Sequence, residues 1–236
     1  MPEYYEMIDG GEHNVYHMLF YMLSNFLISN IHSEIVYYYP NKKNCKVSEG
    51  FLSLLPSNFT RHLVKDPSIS YRTFMHAIPV FNDIALPQSY HLMRHLFKSS
   101  MKESMIPGKK LYIQRKSTSA RALKNEEELR HSLESMGYET AALEDYEIKD
   151  QIRMVSEAEY IVGAHGAGLA FTVFCNQRAK VVELCESPTT EYKHYYHIAH
   201  ILKHNFIRFQ KITKETGVDI RSLSDFLHEW HISQLC

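Results

Sequence analysis

Short apolar segments alternate with amphipathic ones at regular spacing from Lys110 onward. The apolar segments have the length and the β-branched or aromatic content of buried strands, and the amphipathic ones repeat apolar residues at helical spacing. Such strand–helix repeats fold into a parallel sheet with right-handed crossovers, so the pattern predicts an α/β domain. The expected strands are Lys110–Gln114, Tyr138–Leu143, Tyr160–Val162, Lys180–Leu184 and Phe206–Phe209, and the expected helices are Ile148–Glu157, Glu191–His204 and Leu223–Trp230.

One more helix is expected between the first two of these strands. Asn125, followed three residues later by Glu128, is similar to a capping box at a helix start. Gly137 lies where a glycine commonly ends a helix. These two signals predict a helix that begins after Asn125 and ends before Gly137.

The first hundred residues carry the same kinds of element in a looser order. Asn14 is a plausible N-cap for the first helix. The expected elements are the helices Val15–Asn30, Val47–Leu55 and Gln88–Met101 and the strands Ile35–Tyr39 and Phe74–Val80. The segment Ser99–Lys110, with Pro107 and Gly108, is the best boundary candidate. We therefore expect domains at 1–105 and 106–236, and leave open that the terminal helix packs back on the first.

The stretch Glu159–Phe174 reads EYIVGAHGAGLAFTVF, an apolar strand, a glycine-rich turn and an apolar helix start. Bare amides in such a turn and at a helix start bind phosphate oxygens, so an anion site is one interpretation. The other is that the glycines only make a tight turn. The spacing G-x-x-G-x-G is neither the dinucleotide fingerprint nor a P-loop. His165 lies among the glycines, at the end of the sheet where open α/β folds bind ligands.

Composition narrows the classes of partner. With 236 residues and 44% hydrophobic composition, the chain can bury one large core or two smaller ones. The net charge of −1 gives no reason to expect a nucleic-acid partner. The four cysteines form no C-x-x-C pair, the N-terminus is acidic, and polar residues interrupt the apolar stretch from Val15 to Ile31. We expect no membrane span and a cytoplasmic location.

Several motifs together resemble glycosyltransferase family 61. They occur in the family's order and at similar spacing, and the match is good in the second half and weaker in the first. The motifs are His13–His17, Tyr112–Lys116 with Arg121, Asn125-Glu126, Glu144–Gln151, Ile161–Leu169 and Val181–Leu184. The resemblance implies two Rossmann-like domains facing across a cleft (GT-B type), the N-terminal one reduced. It also implies inverting, metal-independent transfer of a sugar from a UDP-sugar to a hydroxyl of a glycan or protein-linked acceptor.

In that reaction the departing diphosphate develops negative charge that must be stabilised. No D-x-D sequence is present to hold a divalent ion, so we expect no metal cofactor. The groups expected to stabilise this negative charge are Arg115, Arg121 and the amides of Gly166, Ala167 and Gly168. The fork of Arg115 can hold two phosphate oxygens, although a loop arginine can also be merely exposed.

Three further residues are candidates for donor binding. His165 would contact the diphosphate, or else make a local hydrogen bond to the backbone. Glu183, at a strand end, would accept the ribose hydroxyls, or else be a solvated charge. Asn125 would be a helix cap first and a ligand contact second.

Inversion also needs a base for the acceptor hydroxyl, on the face opposite the leaving group. His17 is the first candidate, with His13 and Glu12 behind it, although a histidine there can simply pack. A second group of histidines would lie within about a third of the circumference of one helix. It contains His194, His197, His200 and His204. It could be a zinc site, but a polar face is favoured because one helix rarely supplies a full ligand set.

Two other function classes compete with a glycosyltransferase. A nucleotide- or glycan-binding module would keep the phosphate turn without catalysis. An NAD-dependent oxidoreductase is disfavoured by the glycine spacing.

Overall fold

The computed structural model describes residues 14–23, 35–38, 46–55, 61–64, 85–102, 108–116, 122–186, 193–213 and 215–232. The chain divides into two compact units. The first contains residues 1–101 and 147–152, and the second contains residues 102–146 and 153–236.

The first unit combines helices with a pair of parallel strands. Its elements are α1 (His17–Leu23, with π geometry), β1 (Ile35–Tyr38), α2 (Lys46–Ser53), β2 (Arg61–Val64), α3 (Pro87–Leu96) and a 3-10 turn, Lys98–Ser100. Aromatic pairs hold its core, since the Phe20 and Tyr90 rings lie 4.9 Å apart and those of Phe51 and Phe97 lie 5.4 Å apart.

The Asn14 cap is confirmed, because its Oδ1 accepts hydrogen bonds from the amides of Tyr16 at 2.9 Å and His17 at 3.4 Å. The strand at Ile35 and the helices near Val47 and Gln88 are also confirmed. The predicted strand Phe74–Val80 lies outside the described residues. β2 was not expected from the sequence.

The second unit follows the predicted strand–helix order. Its elements are β3 (Lys110–Ile113), α4 (Glu126–Ser135), β4 (Tyr138–Ala141), a 3-10 turn (Leu143–Asp145), α5 (Ile148–Glu157), β5 (Tyr160–Ala164), a 3-10 helix (Ala167–Phe174), β6 (Lys180–Leu184), α6 (His194–Leu202), β7 (Asn205–Phe209), β8 (Ile212–Thr213), β9 (Gly217–Val218) and α7 (Ile220–Ile232). Residues 147–152, which include the first half of α5, cluster with the first unit. Gly137, with φ +84°, ends α4 as predicted, since a positive φ favours glycine.

Five of these strands form one parallel sheet in the order β4-β3-β5-β6-β7. This confirms the predicted parallel α/β sheet. The chain adds β4 on one side of β3 and then continues through β5 to β7 on the other. The direction of winding therefore reverses between β3 and β5, and the loops that leave their carboxyl ends flank a topological switch point.

Helices cover both faces of this sheet. On one face, Val182 and Leu184 share an apolar core with residues of α4 and α7, among them Leu133 and Leu223. On the other face, α6 packs against β7 and against the 3-10 helix Ala167–Phe174. Successive side chains of a strand alternate between faces, so Glu183, between Val182 and Leu184, projects toward the second face.

The terminal helix α7 is anchored in the second unit by His231. Its Nδ1 accepts a hydrogen bond from Lys110 Nζ at 3.4 Å, and its Nε2 lies 3.2 Å from the Tyr138 hydroxyl. Burial first, and then the charges of Lys110, Lys180 and His228, lower the pKa of His231 to about 4. These contacts of α7 lie in its own unit. Among the described residues, no helix has the length and apolar character needed to cross a membrane.

Candidate functional site

The glycine-rich turn leaves the carboxyl end of β5 at the switch point. β5 ends at Ala164, and the first hydrogen bond of the following helix runs from the Leu169 amide to the Gly166 carbonyl, at 2.9 Å. The amides of residues 166–168 therefore precede the helical hydrogen-bond pattern. The helix is 3-10 rather than α, but the strand, turn and helix start occur where the sequence predicts them.

Arg115 follows β3, the strand beside β5, and crosses over this turn. Its guanidinium donates a hydrogen bond from Nη2 to the His165 carbonyl oxygen. Gly166 has φ +155°, and a Cβ added there would lie 1.4 Å from Nη2 of Arg115. Only glycine fits both this backbone conformation and this close approach. The structure thus brings together Arg115, His165 and Gly166, which the sequence nominated separately.

A buried hydrogen bond fixes the start of the Arg115 loop. The Tyr112 hydroxyl donates to Glu126 Oε1 at 2.5 Å, and the Arg115 amide donates to the same oxygen at 3.4 Å. Burial raises the pKa of Glu126, although its hydrogen bonds and the Arg115 charge oppose the shift. The pKa of Tyr112 is raised by burial and by the Glu126 charge. Sequence reasoning noticed Glu126 in a motif but gave it no role.

Glu183 is completely buried, with 0% of its side chain exposed. Its Oε1 lies 2.5 Å from His165 Nδ1, and its Oε2 accepts from Arg208 Nε at 2.7 Å. The alternative of a solvated strand-end charge is therefore wrong. The complete burial of Glu183 leaves no carboxylate oxygen exposed to ribose hydroxyls. For His165 the structure shows a side-chain partner, Glu183, in addition to its backbone contact with Arg115.

Cys185 lies near this pair, and the donor atoms of His165, Glu183 and Cys185 are all within 4.8 Å of one another. Imidazole, carboxylate and thiolate are zinc ligands, so the distances between these atoms decide whether the cluster fits a zinc ion. Two ligands at about 2.1 Å from a tetrahedral zinc are themselves about 3.4 Å apart. His165 Nδ1 and Glu183 Oε1 are closer than that, at 2.5 Å, and Arg208 holds the other oxygen. The geometry fits a histidine hydrogen-bonded to a carboxylate better than a metal site.

Asn125 occupies the N-cap position of α4, but its side chain makes no capping hydrogen bond. It pairs instead with the backbone of Val218, donating from Nδ2 to the carbonyl and accepting at Oδ1 from the amide, both at 2.9 Å. The capping prediction is therefore wrong, because Val218 in β9 takes both side-chain polar atoms. A ligand contact by Asn125 stays a prediction.

The remaining nominated residues are distributed as follows. His17 begins α1 in the first unit, where its amide is capped by Asn14. Glu12, His13 and Arg121 lie outside the described residues. Ala167 and Gly168 are the first two residues of the 3-10 helix, directly after Gly166. The roles assigned to these residues stay predictions.

The four histidines expected on one helix do not form one face. α6 ends at Leu202, and Lys203 turns the chain with φ +59°, so His204 follows the helix rather than belonging to it. His204 is buried, and its Nε2 lies 3.2 Å from the Thr172 carbonyl oxygen. His200 instead stacks on the exposed ring of Tyr196. Packing against the 3-10 helix thus separates these residues.

Arg208 is the functional candidate that sequence reasoning missed. It lies on β7, in register with Glu183 on β6, which is in register with Gly163 on β5. The sequence signal that could have found it is a single arginine within an apolar edge strand. That signal gains meaning only once β6 and β7 are known to be neighbours.

The Glycosyltransferase 61 family model matches residues 12–182, well over half of the chain. The matched region includes the turn at His165, the Arg115 loop and the start of α1. Among curated proteins, none matches this chain.

Proposed function

Because the chain belongs to glycosyltransferase family 61, we propose that it moves a sugar from a UDP-sugar to a hydroxyl of a glycan or protein-linked acceptor. The transfer would invert the anomeric centre and need no divalent ion. The observation that carries the proposal is the approach of Arg115, after β3, to the amide turn after β5. This places a cation and main-chain donors together at the switch point.

The chemistry required of this site is stabilisation of a departing diphosphate. A guanidinium supplies a permanent positive charge and paired donors, and the amides of residues 166–168 supply fixed dipoles. Both are held before the substrate arrives, so little reorganisation is needed as charge develops. An arginine and amides can thus take the place that a metal ion has in other transferases.

The acceptor hydroxyl must lose its proton as the new bond forms. We propose His17 as the base, supported by His13 and Glu12. His17 lies at the start of α1, where the Asn14 cap fixes the backbone. A neutral imidazole can take a proton near neutral pH, which suits this role.

Replacement of Arg115 by alanine tests the proposal. We expect a fall in kcat of about 10²–10³-fold, the usual effect of removing one donor to developing negative charge. The control is Arg130→Ala, since the described partners of Arg130, namely Glu127, His131 and Glu134, all lie on its own helix. Full transfer by a folded Arg115→Ala protein would refute the proposed role.

The assay begins with a thermal-shift screen of nucleotide sugars with and without a chelator, followed by transfer assays on the donors that bind. Stabilisation by a UDP-sugar with turnover supports the transferase. Stabilisation without any transfer or donor hydrolysis would favour the binding module. Loss of transfer on chelation would contradict the metal-free mechanism.

A further inference from the structure

A hydrogen-bonded trio of side chains spans three neighbouring strands beneath the glycine-rich turn. His165 follows β5, Glu183 lies on β6 and Arg208 lies on β7. Glu183 and Arg208 are register partners on adjacent parallel strands, so their side chains project on the same face of the sheet. The carboxylate is buried completely, while the side chains of His165 and Arg208 are 18% and 19% exposed.

The burial of Glu183 demands compensation of its charge. A carboxylate removed from water is stable only when it is paired and its oxygens accept hydrogen bonds. Arg208 meets this need at Oε2, through a charge-assisted hydrogen bond of 2.7 Å. Oε1 then has one described partner, His165 Nδ1, at 2.5 Å.

The chemistry of the three side chains decides which atoms carry the protons of their hydrogen bonds. Arg208 is always a donor, and an ionised carboxylate only accepts. The proton between His165 and Glu183 therefore belongs on Nδ1 of the ring. This hydrogen bond selects one tautomer of the neutral imidazole and fixes the direction of the ring, as carboxylates do for histidines that bind metals.

We propose that Glu183 and Arg208 are positioning residues that act through His165. They hold its ring in the Nδ1–H form and thereby steady the peptide that begins the amide turn, to which Arg115 also bonds. This inference rests on the proposed function, because it assigns the trio to preparation of the donor site. It replaces the expected contact of Glu183 with ribose.

The wild-type protein gives the first test without any ligand. Long-range proton–nitrogen NMR spectra distinguish Nδ1–H from Nε2–H imidazole, and a His165→Asn variant identifies the signals of His165 among the 15 histidines. The inference expects Nδ1–H. An Nε2–H ring in the folded wild-type protein would overturn it.

Glu183→Gln gives the second test, in which we expect the proton of the neutral His165 ring to move from Nδ1 to Nε2. Arg208 Nε must still donate, so it takes the carbonyl oxygen of the new amide. The amide NH₂ then faces His165 Nδ1, which must accept and leave the proton on Nε2. We expect the tautomer to switch and the UDP-sugar dissociation constant to rise about 10–100-fold, the range by which metal binding or activity falls when a partner that orients a metal-binding histidine is removed.

Arg208→Lys is the conservative variant, because it keeps the positive charge beside Glu183. It should retain the Nδ1–H form and show a smaller loss of affinity. The matched control is Glu159→Gln, which removes a carboxylate paired with Lys180 at 3.0 Å near the opposite end of the same strands. That control should change neither the tautomer nor the donor affinity.

The outcomes test the positioning role of Glu183 and Arg208 separately from the proposed glycosyltransferase function. A Glu183→Gln protein with an unchanged tautomer, or with a switched tautomer and unchanged donor affinity and kcat, would show a purely structural ion pair and overturn the inference. If Glu183→Gln does not fold, the wild-type tautomer and the Arg208→Lys affinity still decide. A wild-type protein that binds no UDP-sugar would refute the proposed function. The ligand-free NMR experiment would still show whether Glu183 and Arg208 hold His165 in the Nδ1–H form.

Discussion

Replacing Gly166 by alanine should disturb the contact between Arg115 and the amide turn. The new Cβ would lie 1.4 Å from Arg115 Nη2, on a backbone with φ +155° and ψ 176°. Because the guanidinium ends a flexible side chain, it would swing aside and give up its hydrogen bond to the His165 carbonyl. The turn itself would keep its place but carry strain.

Two contributions set the expected loss of stability. An L-residue in this backbone region costs about 1–3 kcal/mol. A lost hydrogen bond from a charged donor costs at most about 1.5–3 kcal/mol, less here because Arg115 is partly exposed. Together they predict that Gly166→Ala lowers the free energy of unfolding by about 2–5 kcal/mol.

Gly137→Ala is the matched control. Gly137 also has a positive φ, +84°, but nothing lies within 4 Å of a Cβ added there. Its substitution should cost only the backbone contribution, about 1–2 kcal/mol. Urea unfolding of both variants measures the difference, and UDP-sugar affinity should fall in Gly166→Ala alone.

A double-mutant cycle isolates the side-chain contribution. In an Arg115→Ala background the clash and the hydrogen bond are both absent, so Gly166→Ala should cost only the backbone strain of about 1–3 kcal/mol. An equal cost of Gly166→Ala in both backgrounds would show that Arg115 does not lie over the turn. The proposed donor site at this turn would then be wrong as well.

Three further expectations concern other parts of the chain. Because the pKa of His231 is lowered to about 4, the folded protein binds fewer protons than the unfolded chain, so stability should fall as the pH drops from about 6.5 toward 4. His231→Gln should flatten that part of a urea-unfolding profile and exposed His91→Gln should not; equal profiles in wild type and His231→Gln would contradict the assignment. Asn125→Ala should lower the free energy of unfolding by about 1–3 kcal/mol, since both polar groups of Val218 lose a partner; Lys124→Ala, a neighbouring exposed site, is the control, and an unchanged urea midpoint would count against the pairing. Transfer should persist in excess chelator, and its recovery only on adding a divalent ion would refute metal independence.

The sequence predicted the second unit well because its elements are decided locally. Apolar periodicity and terminating residues placed the ends of β3 through β7 to within two residues. The glycine that ends α4 and the asparagine that caps α1 acted as expected, since each signal depends on neighbours a few positions away. The cytoplasmic location and the roles of His13, Glu12 and Arg121 stay predictions.

Local patterns failed where a distant segment competed for a side chain. Asn125 has the identity of a cap, yet it bonds to Val218, 93 residues later in the chain. His204 fits the helical spacing of α6, yet the chain turns at Lys203 and buries the ring against the 3-10 helix. In both places, a contact with a distant segment outweighed the local structural preference of the sequence.

By itself, the sequence determined the order of strands and helices and the glycine turn at the end of β5. The tertiary structure alone decided that Arg115 meets that turn across 50 residues and that Arg208 meets Glu183 across 25. The reason is physical: secondary structure follows from interactions between near neighbours, whereas the partner of a buried charge depends on which strands lie side by side and in what register.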